Sequence, residues 1–251
     1  MLLAVDIGNT NITLGVFKDD ELLLTKRLVT DINKTSEEYA TLIAEKLKNV
    51  FITKAVIVSV VDELNIIVKN ACDNVFGVDS FLFNTASKTG VVLDVANPDL
   101  VGADRVANAY AASKMYSLPC IIVDSGSATT FDIVSSDKRF FGGIIMPGIN
   151  MQLNSLCEKT SKLPKIEPEE IESVIGVDTK TCILSGVIRG HACAIEGLIK
   201  ECEEEMNQKC TIIATGGIAK LVLKYMKRDF DYINQDLTLQ GIKFLYELNQ
   251  G

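Results

Sequence analysis

The sequence has one histidine, no C-x-x-C pair, no basic block and no low-complexity linker in 251 residues. With His191 alone, a Ser–His–Asp hydrolase has a single candidate base, and no G-x-S-x-G elbow accompanies it. His191 and Cys193 stand two apart on a predicted helix, where positions i and i+2 diverge, so a zinc site is disfavoured. The seven cysteines are scattered through apolar surroundings and read as buried, reduced thiols. Net charge is −8 and lysines and arginines are nowhere clustered, which argues against a nucleic-acid partner. No apolar run reaches the length of a membrane span, and the N-terminus opens on a strand without a signal-peptide layout. A cytoplasmic protein with no membrane partner is expected.

Against these absences stands one stretch, Asp6-Ile7-Gly8-Asn9-Thr10-Asn11-Ile12-Thr13. An apolar strand ends at Asp6, glycine follows, and alternation resumes with Ile12, Leu14 and Val16 on one face. The pattern predicts a tight strand–turn–strand, with Gly8 free of the angles that restrict other residues. Its tip is either a solvated hairpin turn or an anion site, with N–H donors in the turn and Asp6 placed to hold a metal ion or its water.

The pattern recurs. Asp124-Ser125-Gly126-Ser127-Ala128-Thr129-Thr130 begins 118 residues after Asp6, again behind a short apolar strand. Ile133 and Val134 align with Gly15 and Val16 without a gap. Matched flanks on this scale predict two related lobes, each offering a polar hairpin to a shared cleft that grips phosphates. The predicted element order is β-β-β-α-β-α in each, with the lobes at residues 1–116 and 117–251. The join is a helix over Ala103–Tyr116. A capping box at Thr35 and Glu38 opens the first helix. Ser161–Glu172 reads as an exposed loop, and the acidic end Glu201–Glu205 of a long helix as a solvated face. A turn at Thr215–Gly217, a helix over Ile218–Met226 and a closing helix over Leu239–Leu248 complete the second lobe.

Between the hairpins lies Asn97-Pro98-Asp99-Leu100-Val101-Gly102-Ala103-Asp104-Arg105. Pro98 favours an extended approach and Gly102 a sharp turn, so Asp104 and Arg105 fall in a helix's first turn. Asp104 is either a favourable early-turn acid or a proton acceptor beside an anion-binding arginine.

Taken together, these motifs resemble type III pantothenate kinase, within the acetate/sugar kinase, chaperone ATPase and actin superfamily. The resemblance spans nearly the whole chain and rests on D-x-G-N-T at Asp6, V-G-A-D-R ending at Arg105 and D-x-G-[TS]-A-x-T at Asp124. G-G-x-I-x-P-G from Gly142 to Gly148 and the Thr215-Gly216-Gly217 turn agree. It implies a duplicated actin-like (ribonuclease H-like) α/β fold and ATP-dependent phosphorylation of pantothenate. It assigns ATP phosphates to Asp6, Ile7, Gly8, Asn9, Thr10, Asn11, Ile12 and Thr13, with Asp6 near magnesium, and an ATP contact to Ser127. Gly102, Ala103, Asp104 and Arg105 would bind pantothenate, Asp104 as the base for its primary hydroxyl. Asp124 would hold potassium or ammonium, and Thr179 would contact pantothenate from the partner in a homodimer. The family's double-glycine turn, here Gly216-Gly217, would pass close to the adenine nucleotide. Two positions depart from the pattern: Val95 stands where the family often has tyrosine, and Ser127 replaces threonine while keeping a hydroxyl. A regulatory accessory factor and a phosphohydrolase are the rival readings. The presence of Asp6, Asp104 and Asp124 together favours the kinase.

Overall fold

The computed structural model describes residues 1–217 and 219–250, with Ala219 and Lys220 described by their main chain alone. It separates into two compact units, Met1–Met115 together with the chain from Leu237, and Tyr116–Asp236.

The first unit carries a five-stranded sheet in the order β3-β2-β1-β4-β5: β1 Leu2–Ile7, β2 Asn11–Lys18, β3 Glu21–Val29, β4 Lys54–Ser59 and β5 Phe81–Leu82. β1, β2 and β3 form an antiparallel meander, and β4 joins β1 in parallel. Strand alternation sorts the core into two layers. Leu3, Val5, Ile7 and Ile57 meet Tyr39 and Ile43 of α1 (Ser36–Lys46) and Val68 and Cys72 of α2 (Asn65–Phe76). Ala4, Val56 and Val58 meet Val106 and Ala107 of α3 (Ala103–Met115) and Leu239, Ile242 and Leu245 of α8 (Leu237–Gln250). The expected capping box is present: Thr35 accepts from the Glu38 N–H, and Glu38 accepts from the Thr35 N–H. A short strand, β6, follows at Val92–Leu93.

The second unit repeats the order as β9-β8-β7-β10-β11: β7 Cys120–Ser125, β8 Ala128–Val134, β9 Arg139–Pro147, β10 Thr211–Thr215 and β11 Tyr232–Ile233. Its helical layer comprises α4 Ile149–Glu158, α5 Thr179–Leu184, a π-helical turn Ser185–Arg189, α6 Gly190–Glu205 and α7 Ala219–Leu223. Ile121, Val123, Phe131 and Ile212 face Leu153, Ile188, Ile195 and Ile199 across this core. Of the helix expected over Ile218–Met226, Ile218 lies outside the described residues.

Five expectations need correction. The repeat is not gapless. Four residues, Gly8 to Asn11, separate the paired Ile7 and Ile12, but only three, Gly126 to Ala128, separate Ser125 and Thr129. The shorter turn makes Asp132, paired with Ile122, the counterpart of Gly15, paired with Ala4.

The closing helix belongs with the first unit rather than the second, because its apolar stripe fills the α3 layer. The acidic helix end is not uniformly solvated. Glu203 is 4% exposed and accepts from Arg228, Lys209 and the Cys210 N–H.

Cys182 and Cys193 are exposed, unlike Cys72, Cys120 and Cys210, because they lie on the outer side of the α5–α6 run. That run, Thr179–Glu205, is also long and apolar enough by length and composition alone to cross a membrane. Its Leu184, Ile188, Ala192, Ile195 and Ile199 side chains are buried in the second unit's core, which accounts for the hydropathy.

Candidate active site

In the first unit, Asp6 is the penultimate residue of β1, on the face it shares with Ala4, the face covered by α3. The turn beyond it is closed by the Gly8 N–H donating to the Asn11 carbonyl at 3.0 Å. Asn9, Thr10 and Asn11 are exposed at the tip, while Ile7 and Ile12 are wholly buried. Those two isoleucines are packed into the core, so neither presents a side chain at the tip. Thr30, just past β3, braces the turn: its hydroxyl donates to the Gly8 carbonyl at 2.6 Å, and its N–H to the Thr10 carbonyl at 3.0 Å. Sequence reasoning missed Thr30, whose one signal is a hydroxyl at the end of the strand paired with the tip.

Asn97 to Arg105 turns into α3 through a short 3-10 turn, Pro98–Leu100, and Gly102. The Gly102 carbonyl accepts from the Val106 N–H at 3.1 Å, which starts the helix. A methyl group on Gly102 would lie 2.5 Å from Asp104 Oδ1 and 3.5 Å from Val60. Val60 in turn donates its N–H to the Ile7 carbonyl. The α3 start therefore sits where β4 and β1 end, on the face that carries Asp6. Asp104 Oδ1 accepts from the Arg105 N–H at 2.8 Å. Burial raises the Asp104 carboxyl above the ordinary aspartate value, against that N–H and the Arg105 charge, which both favour ionisation. A desolvated carboxylate with a raised pKa is a stronger proton acceptor than an exposed one. Val95 is half-buried ahead of this segment.

In the second unit, Asp124 is the penultimate residue of β7, paired with Thr130 on one side and Thr215 on the other. Gly216 follows Thr215 with φ +86°, and a methyl group there would lie 2.6 Å from both Asp124 Oδ1 and the Ser125 carbonyl oxygen. Asp124 Oδ1 and the Ser125 carbonyl oxygen thus crowd the Gly216 α-carbon, a packing that only glycine allows. Hard oxygen donors of this kind suit an alkali or alkaline-earth cation. Ser127 is exposed at the tip, and its carbonyl accepts from the Gly148 N–H at 3.2 Å. Gly148 too must lack a side chain, since a methyl would meet the Ser127 carbonyl oxygen at 2.4 Å.

Thr179 is exposed at the start of α5, next to the N-cap Asp178. His191 is no zinc ligand. Its Nε2 lies 3.0 Å from Thr129 Oγ1 and its Nδ1 2.9 Å from Gln152 Nε2, so both ring nitrogens are occupied.

The model of a protein family described as type III pantothenate kinase matches residues 2–201. The chain belongs to this family. A type III pantothenate kinase from Finegoldia magna is 42% identical over 259 aligned positions, covering 100% of this chain and 98% of the relative. Among solved structures, a Baf family transcriptional activator from Campylobacter jejuni aligns over 99% of this chain and 98% of its own. Its TM-score is 0.63 at 20% identity. A ROK family glucokinase from Streptomyces griseus aligns over 100% and 99%, with a TM-score of 0.51 at 13% identity. At such identities these two bear on the fold alone, and they put this type III pantothenate kinase family member among the actin-like and sugar-kinase folds.

Proposed function

We propose that this protein transfers the γ-phosphoryl group of ATP to the primary alcohol of pantothenate, giving 4′-phosphopantothenate for coenzyme A synthesis. The observation that carries the reading is Asp104, a desolvated carboxylate in the first turn of α3, next to Arg105 and on the Asp6 face. In the reaction the alcohol oxygen bonds to the γ-phosphorus as the bond to ADP breaks, and Asp104 takes the alcohol proton. Arg105 binds the pantothenate carboxylate. Backbone and hydroxyl groups of Asp6–Thr13 hold ATP phosphates, and Ser127 supplies a further contact. Positioning and charge stabilisation carry most of the rate in such a transfer.

Magnesium bound with ATP, next to Asp6, would neutralise phosphate charge. Asp124 and the Ser125 carbonyl would hold potassium or ammonium. We also assign the protein to the cytoplasm and to a homodimer in which Thr179 reaches the pantothenate of the partner. Ile175 and Val177, beside Thr179, are 76% and 92% exposed, which suits burial against a second copy. The test is to incubate the purified protein with ATP, magnesium, potassium and pantothenate. Mass spectrometry should find the phosphorylated product. ATP turnover without it would overturn the proposal.

A further inference from the structure

The single histidine has no place in the reaction above, yet it is 2% exposed and ties together three elements of the second unit. Gln152 of α4 fixes its state. The Gln152 side-chain nitrogen donates to the Pro147 carbonyl at 2.8 Å and also lies 2.9 Å from His191 Nδ1. A carbonyl can only accept, so this nitrogen carries the hydrogens and His191 Nδ1 must be the acceptor. The ring is therefore neutral with its proton on Nε2, which donates to Thr129 Oγ1. Thr129 is the first residue of β8 paired with β7, opposite Ser125, and its neighbour Ala128 pairs with Pro147 of β9. Pro147 leads into Gly148, whose N–H binds the Ser127 carbonyl. One relay thus runs from the second hairpin through His191 and Gln152 to the backbone that closes on the hairpin's tip.

We propose that His191 is a positioning residue for nucleotide binding, holding the Ser125–Thr129 turn and the Pro147–Gly148 backbone in a single arrangement through Thr129 and Gln152. This rests on the reading that the turn carrying Ser127 contacts nucleotide. Protonation of the ring would place an N–H at Nδ1 against the Gln152 N–H, and Gln152 would have to release either His191 or Pro147. Among the described residues, no charged group from the packed elements is hydrogen-bonded to the ring. Thr129 and Gln152 are neutral, and Asp132 of β8 lies on the other face of the sheet by alternation. Cys157 and Glu158 stand five and six residues beyond Gln152 on α4. Just ahead of α6, Arg189 binds the Ile171 and Glu172 carbonyls; on α6 itself Cys193 is exposed and Glu196 accepts from the Lys227 and Arg228 N–H groups. Burial alone lowers the His191 pKa.

The experiment is calorimetric titration of magnesium–ADP into the wild type, His191→Leu, Gln152→Leu and Thr129→Val between about pH 8 and about pH 5.5. At the upper end each variant should bind about tenfold more weakly than the wild type, as expected for one or two lost buried hydrogen bonds. The wild-type advantage over His191→Leu should close as pH falls, a ratio in which titration of the nucleotide itself cancels. The KM for pantothenate should stay within about twofold, since none of the three touches that substrate. Equal affinity at all pH values in any folded variant overturns the proposal. Failure of the wild type to bind magnesium–ADP would instead overturn the nucleotide reading beneath it.

Discussion

Gly102 stands so close to Asp104 that a single added methyl group would lie 2.5 Å from the carboxylate oxygen. The contact is with a side chain, so the fold can yield, and what yields is the position of the proposed base. Gly102→Ala should therefore fold normally and lose roughly a hundredfold in kcat/KM for pantothenate, the usual cost of misplacing a reacting group by about an ångström. Steady-state kinetics beside a thermal melt checks this. Unchanged kinetics would remove the positional argument.

Gly241 presents the opposite case. A methyl there would meet the Ala107 carbonyl oxygen at 2.1 Å and its carbon at 2.5 Å, both main chain, where α8 crosses α3. Neither helix can move without opening the layer of Leu239, Ile242 and Leu245. Gly241→Ala is expected to lose about 2 kcal/mol or more of stability, read from urea unfolding.

Glu203 gives a pH-dependent prediction. The Arg228 guanidinium, then Lys209 and the Cys210 N–H, hold its carboxyl down at about 2 despite burial. The folded pKa lies below the unfolded one, so this stabilisation is complete above the ordinary glutamate value and is lost as pH falls through the folded value. Glu203→Gln should cost about 2 kcal/mol at neutral pH, allowing for solvent around the exposed Lys209. The difference should shrink at about pH 3, followed by urea melts at both values.

Much of this molecule is written in local pattern. Asp6-x-Gly8, the Thr35–Glu38 capping box and the place of Asp104 in a helix's first turn follow from residue types at short spacing. The extended approach expected at Pro98 is instead a 3-10 turn, because Pro's fixed φ suits the first position of such a turn as well as an extended chain. What else escaped depends on partners far along the chain. Glu203 looks like one acid among several until Arg228, 25 residues on, folds back to it. The missing residue in the second hairpin shows only in pairing register, because Ala128 and Thr129 suit either alignment. Thr30 and His191 carry no motif, and their roles arise from what the sheets bring beside them.

Asp124 and Gly216 bear on the proposed monovalent cation. Activity should collapse when sodium replaces potassium and return with ammonium. Gly216→Ala, strained at φ +86° and crowding Asp124, should raise the potassium needed for half-maximal activity roughly ten- to a hundredfold. Titrating the rate against each salt at constant ionic strength checks both. Indifference to the cation would remove the role given to Asp124.

The central claim is that Asp104 accepts the proton of the alcohol. Its base form must be ionised, and burial raises its pKa, so the wild-type rate should fall on the acid side at a higher pH than an exposed aspartate would give. The most direct measurement is the rate of 4′-phosphopantothenate formation by Asp104→Asn, with magnesium–ADP affinity measured on the same sample. The account predicts a loss of about a thousandfold in rate with nucleotide affinity unchanged. Turnover near the wild-type rate in a folded, nucleotide-binding sample would contradict it.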